Sequence, residues 1–569
     1  MKKFTVGLRH LLCFGLLAAP GLARAQAQRW QWAAAPGPAA PAGLGSSGVS
    51  AMALDAAGNT VVAGQFHGTL TLGTTTLTSA GHNDIFVAKV SPTGQWLQAV
   101  RAGGAGDDLV SALKLDAAGN AVVGGRFGNL VTGATAAFGP LTLISAGNAD
   151  AFVATLSTTG QWTQAVRAGG TNADQVADLV FDGTGNVLVL GTITGSGNLG
   201  SHVFNAPAGT MQLFVGRLNP GTGTWTLLNQ GPPPYGAQPS ALALDVAGNV
   251  VVVGHCGSGI TFGSTTLISS RNEGTFLARL NTTSGQWTQA VTPVQSRSSN
   301  APPTTINALV VDATGTITVL GTLLESTTFG NTTLTSVGSY DIFVAKLDAS
   351  GQWTQAVRAG GLANDIASSI ALDADGNAVV TGLFGPYGGF SPSLTASFGN
   401  ITLTSAGQYD AFVATLSPSG QWLQAVGAGG TGSDVAGPVV VDAAGNATVG
   451  GIYTGLAAFG NTALTGDSNY AMAFVARLSS GVLATHAASA TAAEAFSVAP
   501  NPATGAAHLA WPEASSTARP VQLLDAVGRE VRRQLLPARA TATTLDVTGL
   551  APGLYVVRCG AAASRLRVE

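Results

Sequence analysis

One phrase recurs seven times along this chain of 569 residues, and it constrains the fold more than any other feature. Each copy opens with an Asp-x-x-Gly-Asn turn, except that Thr316 replaces the Asn in the fifth copy. The turns start at Asp55, Asp116, Asp182, Asp245, Asp312, Asp373 and Asp442. A strand of the Phe-Val-Ala type follows each turn, at Phe86, Phe152, Phe214, Phe276, Phe343, Phe412 and Phe474. A Trp strand then follows six of them, at Trp96, Trp162, Trp225, Trp287, Trp353 and Trp422.

The strand that the seventh copy lacks stands at the other end of the chain, as an unpaired Trp strand from Arg29 to Ala35 around Trp32. The seven Trp strands are thus displaced by one strand relative to the seven turns. This displacement is expected of a closed ring of sheets in which the N-terminal strand completes the last sheet. Successive turns are 61, 66, 63, 67, 61 and 69 residues apart, which suits one four-stranded blade with a surface hairpin. The sequence therefore predicts an all-β fold, a seven-bladed β-propeller over residues 26–479 closed by its N-terminal strand.

Local patterns refine this prediction. In the second copy we expect strands at Ser111–Asp116, Ala121–Phe127, Asp150–Leu156 and Gln161–Arg167. A Phe-Gly-x-x-x-Leu insertion between the second and third strands predicts an extra hairpin, at Phe138, Phe262, Phe329, Phe398 and Phe459. The Gly of each Asp-x-x-Gly-Asn phrase stands where a hairpin needs a positive φ. A calcium-binding loop at Asp373–Asn377 is the alternative to a turn, but its Gly comes too early and no Glu closes it.

Hairpin counting also predicts cross-strand ion pairs. If the third and fourth strands join through a four-residue loop, Asp84 faces Arg101 directly. The same count pairs Asp150 with Arg167 and Asp341 with Arg358, whereas in the sixth copy Asp410 faces Gly427. We interpret these pairs as structural rather than catalytic.

Composition limits location and partners. Lys2, Lys3 and Arg9 precede an apolar stretch that ends in Ala23-Arg24-Ala25, which predicts a signal peptide over residues 1–25. No later run of 18 apolar residues occurs, so we expect no transmembrane segment in the mature chain. A net charge of −3 gives no basic stripe for nucleic acid. Cys256 and Cys559 fall in different predicted domains, so we expect no disulfide framework.

The C-terminal part of the chain differs from the repeats in composition and pattern. Residues 480–495 have the composition of a linker, and residues 496–569 predict a small antiparallel β-sandwich. Phrases of that sandwich stand in order at Pro500-Asn501-Pro502, around Gly528 in Asp525–Arg529, and around Gly553 and Tyr555 in Leu550–Tyr555.

Two families resemble these parts. Phe86-Val87-Ala88-Lys89 and Phe343–Leu347 are similar to the phrases of seven-bladed proteins built from β-propeller repeats. The C-terminal phrases resemble the type A sorting domain of the type IX secretion system of Bacteroidetes-like bacteria. The second resemblance implies Sec export, recognition by the type IX machinery, and release or anchoring at the outer cell surface. The first implies a fold but no catalytic residues.

Candidate chemistry is sparse. The ring carries two Glu, Glu273 and Glu325, and its His residues are scattered, so we expect no cofactor and no metal site. One set is shared between copies, an Asp eight residues before the turn Asp, at Asp108, Asp174, Asp365 and Asp434. These residues form either a carboxylate collar at a channel mouth, which would bind a cation or a polar ligand, or caps of the strand-entry turns that follow Gly-Gly. The sequence favours the caps.

Three functions remain open. The sequence favours a secreted or surface-bound binding or adhesion module for an unknown glycan or protein, with Pro232–Tyr235 and Thr292–Asn300 as a candidate surface. The alternative is a secreted polysaccharide lyase or glycosidase at the channel mouth, which requires two convergent carboxyl groups or a His/Tyr pair. A structural surface-layer component is the third.

Overall fold

The computed structural model describes residues 29–37, 45–128, 133–231, 236–257, 259–268, 274–296, 304–386, 394–480, 496–511, 514, 516–525, 529–559 and 562–569. These residues form fifty β-strands and no helix, so the chain is all-β, as the repeat predicts. The chain divides into two compact units, whose described parts are residues 29–480 and residues 496–569. The predicted signal peptide, and the predicted linker beyond Ser480, lie outside the described residues.

The described residues of the larger unit form seven antiparallel sheets with four main strands each, numbered here 1 to 7 along the chain; in four of them a two-stranded hairpin extends the sheet to six strands. In sheets 1 to 6 the four strands are consecutive apart from short inserted hairpins. Their bounds are Ser47–Leu54, Thr60–Phe66, Asp84–Val90 and Trp96–Gly104 in sheet 1; Leu109–Leu115, Ala121–Phe127, Asp150–Leu156 and Trp162–Gly170 in sheet 2; Gln175–Phe181, Val187–Thr194, Met211–Asn219 and Thr224–Gln230 in sheet 3; Gln238–Leu244, Val250–Cys256, Gly274–Leu280 and Trp287–Val291 in sheet 4; Thr305–Val311, Ile317–Leu323, Asp341–Leu347 and Trp353–Gly361 in sheet 5; Asn364–Leu372, Ala378–Gly385, Asp410–Leu416 and Trp422–Gly430 in sheet 6.

Sheet 7 joins the two ends of this unit. Its strands are Val435–Val441, Ala447–Tyr453, Met472–Leu478 and the N-terminal strand Trp30–Ala34. The N-terminal strand pairs antiparallel with Met472–Leu478, and the Ser479 amide donates to the Arg29 carbonyl. First strands of successive sheets lie against each other, and the first strand of sheet 7 contacts that of sheet 1.

Trp30, rather than Trp32, takes the place of the repeated Trp. Trp30 faces Leu478 across the sheet, as Trp162 faces Leu156 in sheet 2. Its ring meets Phe459 edge-on at 5.2 Å, the geometry that Trp422 makes with Phe398. The Trp32 indole instead donates to the Pro92 carbonyl at 2.8 Å, in the hairpin of sheet 1.

Each sheet carries a short hairpin between its second and third strands, and the five hairpins predicted at Phe positions are confirmed. The seven hairpins are Thr69–Leu72 with Thr75–Thr78, Thr135–Phe138 with Leu141–Ile144, Ser196–Leu199 with His202–Asn205, Ile260–Phe262 with Thr265–Leu267, Ser326–Phe329 with Thr332–Thr335, Thr395–Phe398 with Ile401–Thr404, and Leu456–Phe459 with Thr462–Thr465. A further strand, Val294–Ser296, pairs with Ser326–Phe329. In four places the hairpin also pairs with the Gly-Gly end of the preceding sheet, as Ala137 does with Gly103.

The Asp-x-x-Gly-Asn phrases form turns, which confirms the structural interpretation. At Asp373 the carboxylate Oδ1 accepts from the amides of Asp375 and Asn377, and Gly376 has φ +76°. At Asp442, burial alone would raise the carboxyl pKa, but hydrogen bonds from Asn446 and the Arg477 guanidinium outweigh it and lower the pKa. The Asp373 carboxylate thus accepts hydrogen bonds from its own turn.

The three predicted Asp–Arg pairs form, but the direct register was wrong. Arg101 faces Phe86 across the sheet, and its Nη1 reaches Asp84 Oδ2 diagonally at 2.9 Å. Two extra residues move the register. Val90 faces Trp96 rather than Gln95, so the connection is one residue longer than the predicted loop, and a β-bulge between Lys89 and Val90 places one further residue in the fourth strand. A shift of two keeps Arg101 on the same face as Asp84 but diagonal to it. Arg167–Asp150 and Arg358–Asp341 repeat the diagonal contact.

The C-terminal unit is a two-sheet sandwich. One sheet contains Ser497–Ala499, Ala506–Ala510 and Ala542–Asp546, and the other contains Glu530–Leu536, Arg519–Leu524, Gly553–Cys559 and Ala562–Val568. Buried apolar side chains such as Leu509, Val521 and Leu566 form its core.

Candidate functional site

A cavity of about 680 Å³ is lined by the first strands of all seven sheets. Each of these strands contains a β-bulge near its middle, so one extra residue per sheet has no partner in the pairing with the second strand. The bulged residues that line the cavity are small or polar: Ser50, Ser111, Ala177, Ser240, Asn307, Ser368 and Gly437. The bulges therefore bring hydroxyl and amide side chains to a wall whose other residues are mostly apolar.

The bulges also connect neighbouring sheets. Ser111 Oγ donates to the Val176 carbonyl at 2.6 Å, from sheet 2 to sheet 3. Asn307 Nδ2 donates to the Ala367 carbonyl at 2.6 Å, from sheet 5 to sheet 6. Backbone groups released from the ladder by a bulge need other partners, and the next sheet supplies them. The cavity wall is thus held by hydrogen bonds between sheets.

Two charged side chains line this cavity, Lys114 of sheet 2 and Asp178 of sheet 3. Asp178 accepts from the amides of Leu179 at 2.8 Å and of Leu242 at 2.9 Å, the second of which lies in sheet 4. Burial raises the pKa of Asp178, and the positive charge of Lys114 acts in the opposite direction. The cavity therefore offers a cation and a positioned carboxyl group, with a few hydroxyl and amide side chains, on an otherwise largely apolar wall.

The four aspartates predicted as a collar or as caps lie in four different sheet junctions. Asp108, Asp174, Asp365 and Asp434 are fully buried, and none is among the residues that line the cavity. Each accepts through Oδ2 from the second amide of the preceding Gly-Gly pair, the geometry expected of a cap. Asp108 also accepts from the Gly128 amide through Oδ1, and Asp174 from the Thr194 amide.

Each of these aspartates stands beside a second buried carboxyl group. The pairs are Asp84 with Asp108, Asp150 with Asp174, Asp341 with Asp365, and Asp410 with Asp434. A Cβ added to Gly103, whose φ is +138°, would lie within 2.8 Å of carboxylate oxygens of both Asp84 and Asp108. Only glycine fits between the two carboxyl groups, and this explains the repeated Gly-Gly.

Burial raises the pKa of these inner aspartates, to about 7 at Asp108, Asp174 and Asp434 and to about 8 at Asp365. The neighbouring carboxylate adds to this effect at all four residues. A carboxyl group that cannot hydrate favours its neutral form, and a second negative charge favours it further. Within the described residues, no three His, Cys, Asp or Glu side chains gather in a way that could hold a metal.

Other candidates from the sequence take structural places. Cys256 and Cys559 are buried and form no disulfide in the described part of the chain, and burial raises the pKa of Cys256 to about 11, which disfavours its thiolate. The suggested binding loop Pro232–Tyr235 lies outside the described residues, as do residues 297–300 of the second loop.

The sorting-motif residues are placed in the C-terminal sandwich, except Gly528, which lies outside the described residues. Asn501, between Pro500 and Pro502, donates to the Arg565 carbonyl and accepts from the Arg567 amide, both at 2.8 Å. Gly553 opens a strand, and the Tyr555 hydroxyl donates to the Ala551 carbonyl at 2.8 Å. The Asn501 side chain therefore ties the first segment of the sandwich to the last, whereas the Tyr555 hydroxyl bonds within its own segment.

Sequence reasoning missed the cavity lining. A bulge leaves no mark in the period-2 pattern except a small polar residue out of phase, such as Ser111 or Asn307 in an apolar strand. That signal repeats across copies and could have located the wall of the cavity.

Comparison with known proteins gives one family match. Residues 497–567 match the family described as "Secretion system C-terminal sorting domain". This module carries the protein out by the type IX secretion system, to the cell surface or the medium, and implies interaction with that machinery. No curated protein matches the chain. Among the described residues, no helix offers an apolar stretch long enough to cross a bilayer.

Several solved structures resemble the chain at low identity. A Dyadobacter fermentans protein of unknown function has 10% identity and a TM-score of 0.39, covering 79% of this chain and 99% of its own. A putative 6-phosphogluconolactonase from Bacteroides uniformis has 12% identity and a TM-score of 0.35, with 72% and 97% covered. A Bacillus subtilis family 43 arabinoxylan arabinofuranohydrolase has 11% identity and a TM-score of 0.27, with 80% and 93% covered.

Proposed function

We propose that the seven sheets are the blades of a β-propeller closed by the N-terminal strand, and that this propeller is an extracellular binding or adhesion module. Two observations support the ring. The strand Trp30–Ala34 completes sheet 7, and the first strands follow each other in cyclic contact. The C-terminal module delivers the propeller to the outside of the cell.

The observation that carries the binding role is the composition of the central cavity. Hydroxyl and amide groups from several sheets converge on it, and its volume of about 680 Å³ lies within the usual range for small-ligand sites. Such a wall recognises a neutral polar ligand, for example a sugar residue of a glycan, with Lys114 and Asp178 fixing its orientation. A polar side chain of a protein partner would satisfy the same groups.

A polysaccharide lyase or glycosidase is the second candidate, favoured by Asp178 with its raised pKa beside a cavity cation. Glycoside hydrolysis by either common mechanism uses two carboxyl groups about 5–10 Å apart. Asp178 is the one carboxyl residue among those that line the cavity in the described part of the chain. The geometry therefore supports binding better than hydrolysis.

The test is a glycan array combined with a hydrolase and lyase panel on the mature protein. Ser240→Phe and Ser368→Phe place a ring in the cavity from two different sheets, and Thr163→Phe is the matched control on an exposed strand face. We expect binding without turnover, reduced at least about tenfold by both cavity variants and unchanged in the control. Turnover that the cavity variants abolish would establish the enzyme instead, and binding unaffected by both would refute the cavity as the site.

A further inference from the structure

Sheet 6 contains a second cavity, at the place where three other sheets hold an arginine. In sheets 1, 2 and 5 a guanidinium from the fourth strand contacts the Asp that opens the third strand. In sheet 6 the Asp is kept as Asp410, but Gly427 stands in the place of the arginine. A cavity of about 270 Å³ opens there, lined by Leu403, Thr404, Asp410, Gly427, Ala428, Gly429 and Ala458.

The other sheets show how this position is normally satisfied. Sheet 3 replaces the ion pair by a neutral one, in which Gln230 donates to Gln212. Sheets 4 and 7 open their third strands with Gly274 and Met472, so they have no carboxyl group to satisfy. Sheet 6 alone among the described sheets keeps the carboxyl group without a cation.

Asp410 is therefore a buried carboxyl group that no side-chain cation contacts among the described residues, and burial raises its pKa to about 6. It is 4% exposed, and its Oδ2 accepts from the Ala406 amide. In sheets 1, 2 and 5 the Oδ2 atom of the corresponding Asp also contacts the guanidinium, and this contact is what sheet 6 lacks. The Oδ1 of Asp410 has no hydrogen-bond partner among the described residues, as in the other three sheets. Asp434 lies beside it and adds a second carboxyl group. The other residues that line the cavity are uncharged, so no cationic side chain of the wall would compete with a ligand for Asp410.

The vacant space has the acceptors that a guanidinium needs. In sheet 1, Arg101 Nη1 donates both to Asp84 Oδ2 and to the Thr78 carbonyl at 3.1 Å. Thr404 occupies the position of Thr78, six residues before the Asp, and it lines the cavity. A Cβ added to Gly427 would have no neighbour closer than 3.5 Å, so the backbone here does not require glycine.

We propose that this cavity, the Asp410 pocket, binds an exogenous guanidinium group, carried by a small alkylguanidinium compound or by an arginine side chain of a peptide. The group would enter where the Arg101 side chain lies in sheet 1, with its charge on the Asp410 carboxylate and its remaining N–H groups on the Thr404 carbonyl. A planar fork of donors fits this pair of acceptors better than a point-like ammonium does. This site is separate from the central cavity and does not depend on the proposed function.

The test is calorimetric titration of the mature protein at fixed ionic strength with ethylguanidinium, ethylammonium and ethylurea. N-acetyl-arginine amide, added separately, distinguishes a peptide arginine from a free compound. We expect saturable one-to-one binding of the guanidinium compounds, at least about tenfold weaker binding of ethylammonium, and none of ethylurea. Equal binding of all three compounds, or no saturable binding, would overturn the proposal.

Three variants locate the site. Asp410→Asn and Gly427→Arg should each abolish binding, the first by removing the charge and the second by filling the pocket with its own guanidinium. Arg358→Gly empties the matching position of sheet 5 and should raise the stoichiometry to two. Guanidinium binding that persists in Gly427→Arg would refute the assignment to Asp410. So would a stoichiometry that stays at one in Arg358→Gly with binding only at the new site in sheet 5. Both results can be read even if Asp410→Asn does not fold.

Discussion

A disulfide across the strand that joins the two ends of the larger unit tests ring closure directly. Ala33 faces Ala476 in sheet 7, and directly opposed residues of an antiparallel pair have Cα atoms about 4.5–5.5 Å apart, within disulfide range. The variant Ala33→Cys/Ala476→Cys would close a loop of about 440 residues, for which chain entropy predicts about 6 kcal/mol of stabilisation at 25 °C.

Bond strain lowers such values, so the magnitude needs a matched control. Ala154 and Ala165 occupy the same positions relative to the Phe and Trp strands of sheet 2, but they enclose a loop of only about 12 residues. Because local geometry is shared, strain should largely cancel between the two disulfides. The chain-entropy difference is then about 3 kcal/mol in favour of the closure bond.

The assay is the melting temperature of each double variant, oxidised and then reduced. For a unit of about 450 residues, about 3 kcal/mol corresponds to an additional rise of about 3 °C for the closure bond. The native thiols Cys256 and Cys559 are buried and should not interfere in the folded protein. Failure of the closure cysteines to cross-link while the sheet 2 pair does, or equal shifts for both pairs, would refute the joining of the ends.

Three further predictions follow from the packing and the charges. Trp30→Ala should lower the free energy of unfolding by about 3 kcal/mol, the lower end of the range for truncated aromatic residues, because the ring is only partly buried. The loss should be comparable to that of Trp422→Ala, since both rings meet a hairpin Phe edge-on. Denaturant titration that finds Trp30→Ala nearly neutral would contradict this. Asp108, Asp174, Asp365 and Asp434 have raised pKa values, so each binds its proton more tightly in the folded state than in the unfolded state. The free energy of unfolding should therefore fall by up to about 1.4 kcal/mol per pH unit and group as the pH rises from about 4 to 7. A melting temperature that rises over this interval would contradict the raised pKa values. Deletion of residues 496–569 should leave the protein in the periplasm, and fractionation that still finds it outside the cell would contradict the sorting role.

The sheet architecture could be predicted from the sequence because each repeat contains turn residues that mark where its strands begin and end. The turn at Asp373 needs a positive φ at Gly376, so the position of the hairpin is fixed by local chemistry. Observed strand bounds in the second copy differ from the predicted ones by a few residues, chiefly because Trp162–Gly170 continues through the Gly-Gly end. There the strand pairs with a hairpin of the next sheet, and this pairing could not be predicted from the local sequence.

Predictions of register and of the site were less complete, for one physical reason. A bulge adds one residue to one strand, and neither its place nor the exact length of a hairpin connection can be derived from a period-2 pattern. A connection one residue longer than predicted and the bulge between Lys89 and Val90 together turned a direct Asp84–Arg101 pair into a diagonal one. The same device brings Ser111 and Asn307 to the wall of the central cavity, where strand alternation alone does not place them.

Repetition within one chain makes the two cavities interpretable, since each sheet is a control for the others. The central cavity depends on what the seven first strands share, a bulge with a small or polar residue, and Asp178 is informative because most sheets have Ala or Ser in its place. The Asp410 pocket depends on what one sheet lacks. Removing one partner of a buried ion pair usually costs more than replacing both, and sheet 3 shows that a neutral pair is available to this fold. Retention of Asp410 beside Gly427 therefore leaves a free-energy deficit in sheet 6 that a guanidinium ligand would offset on binding.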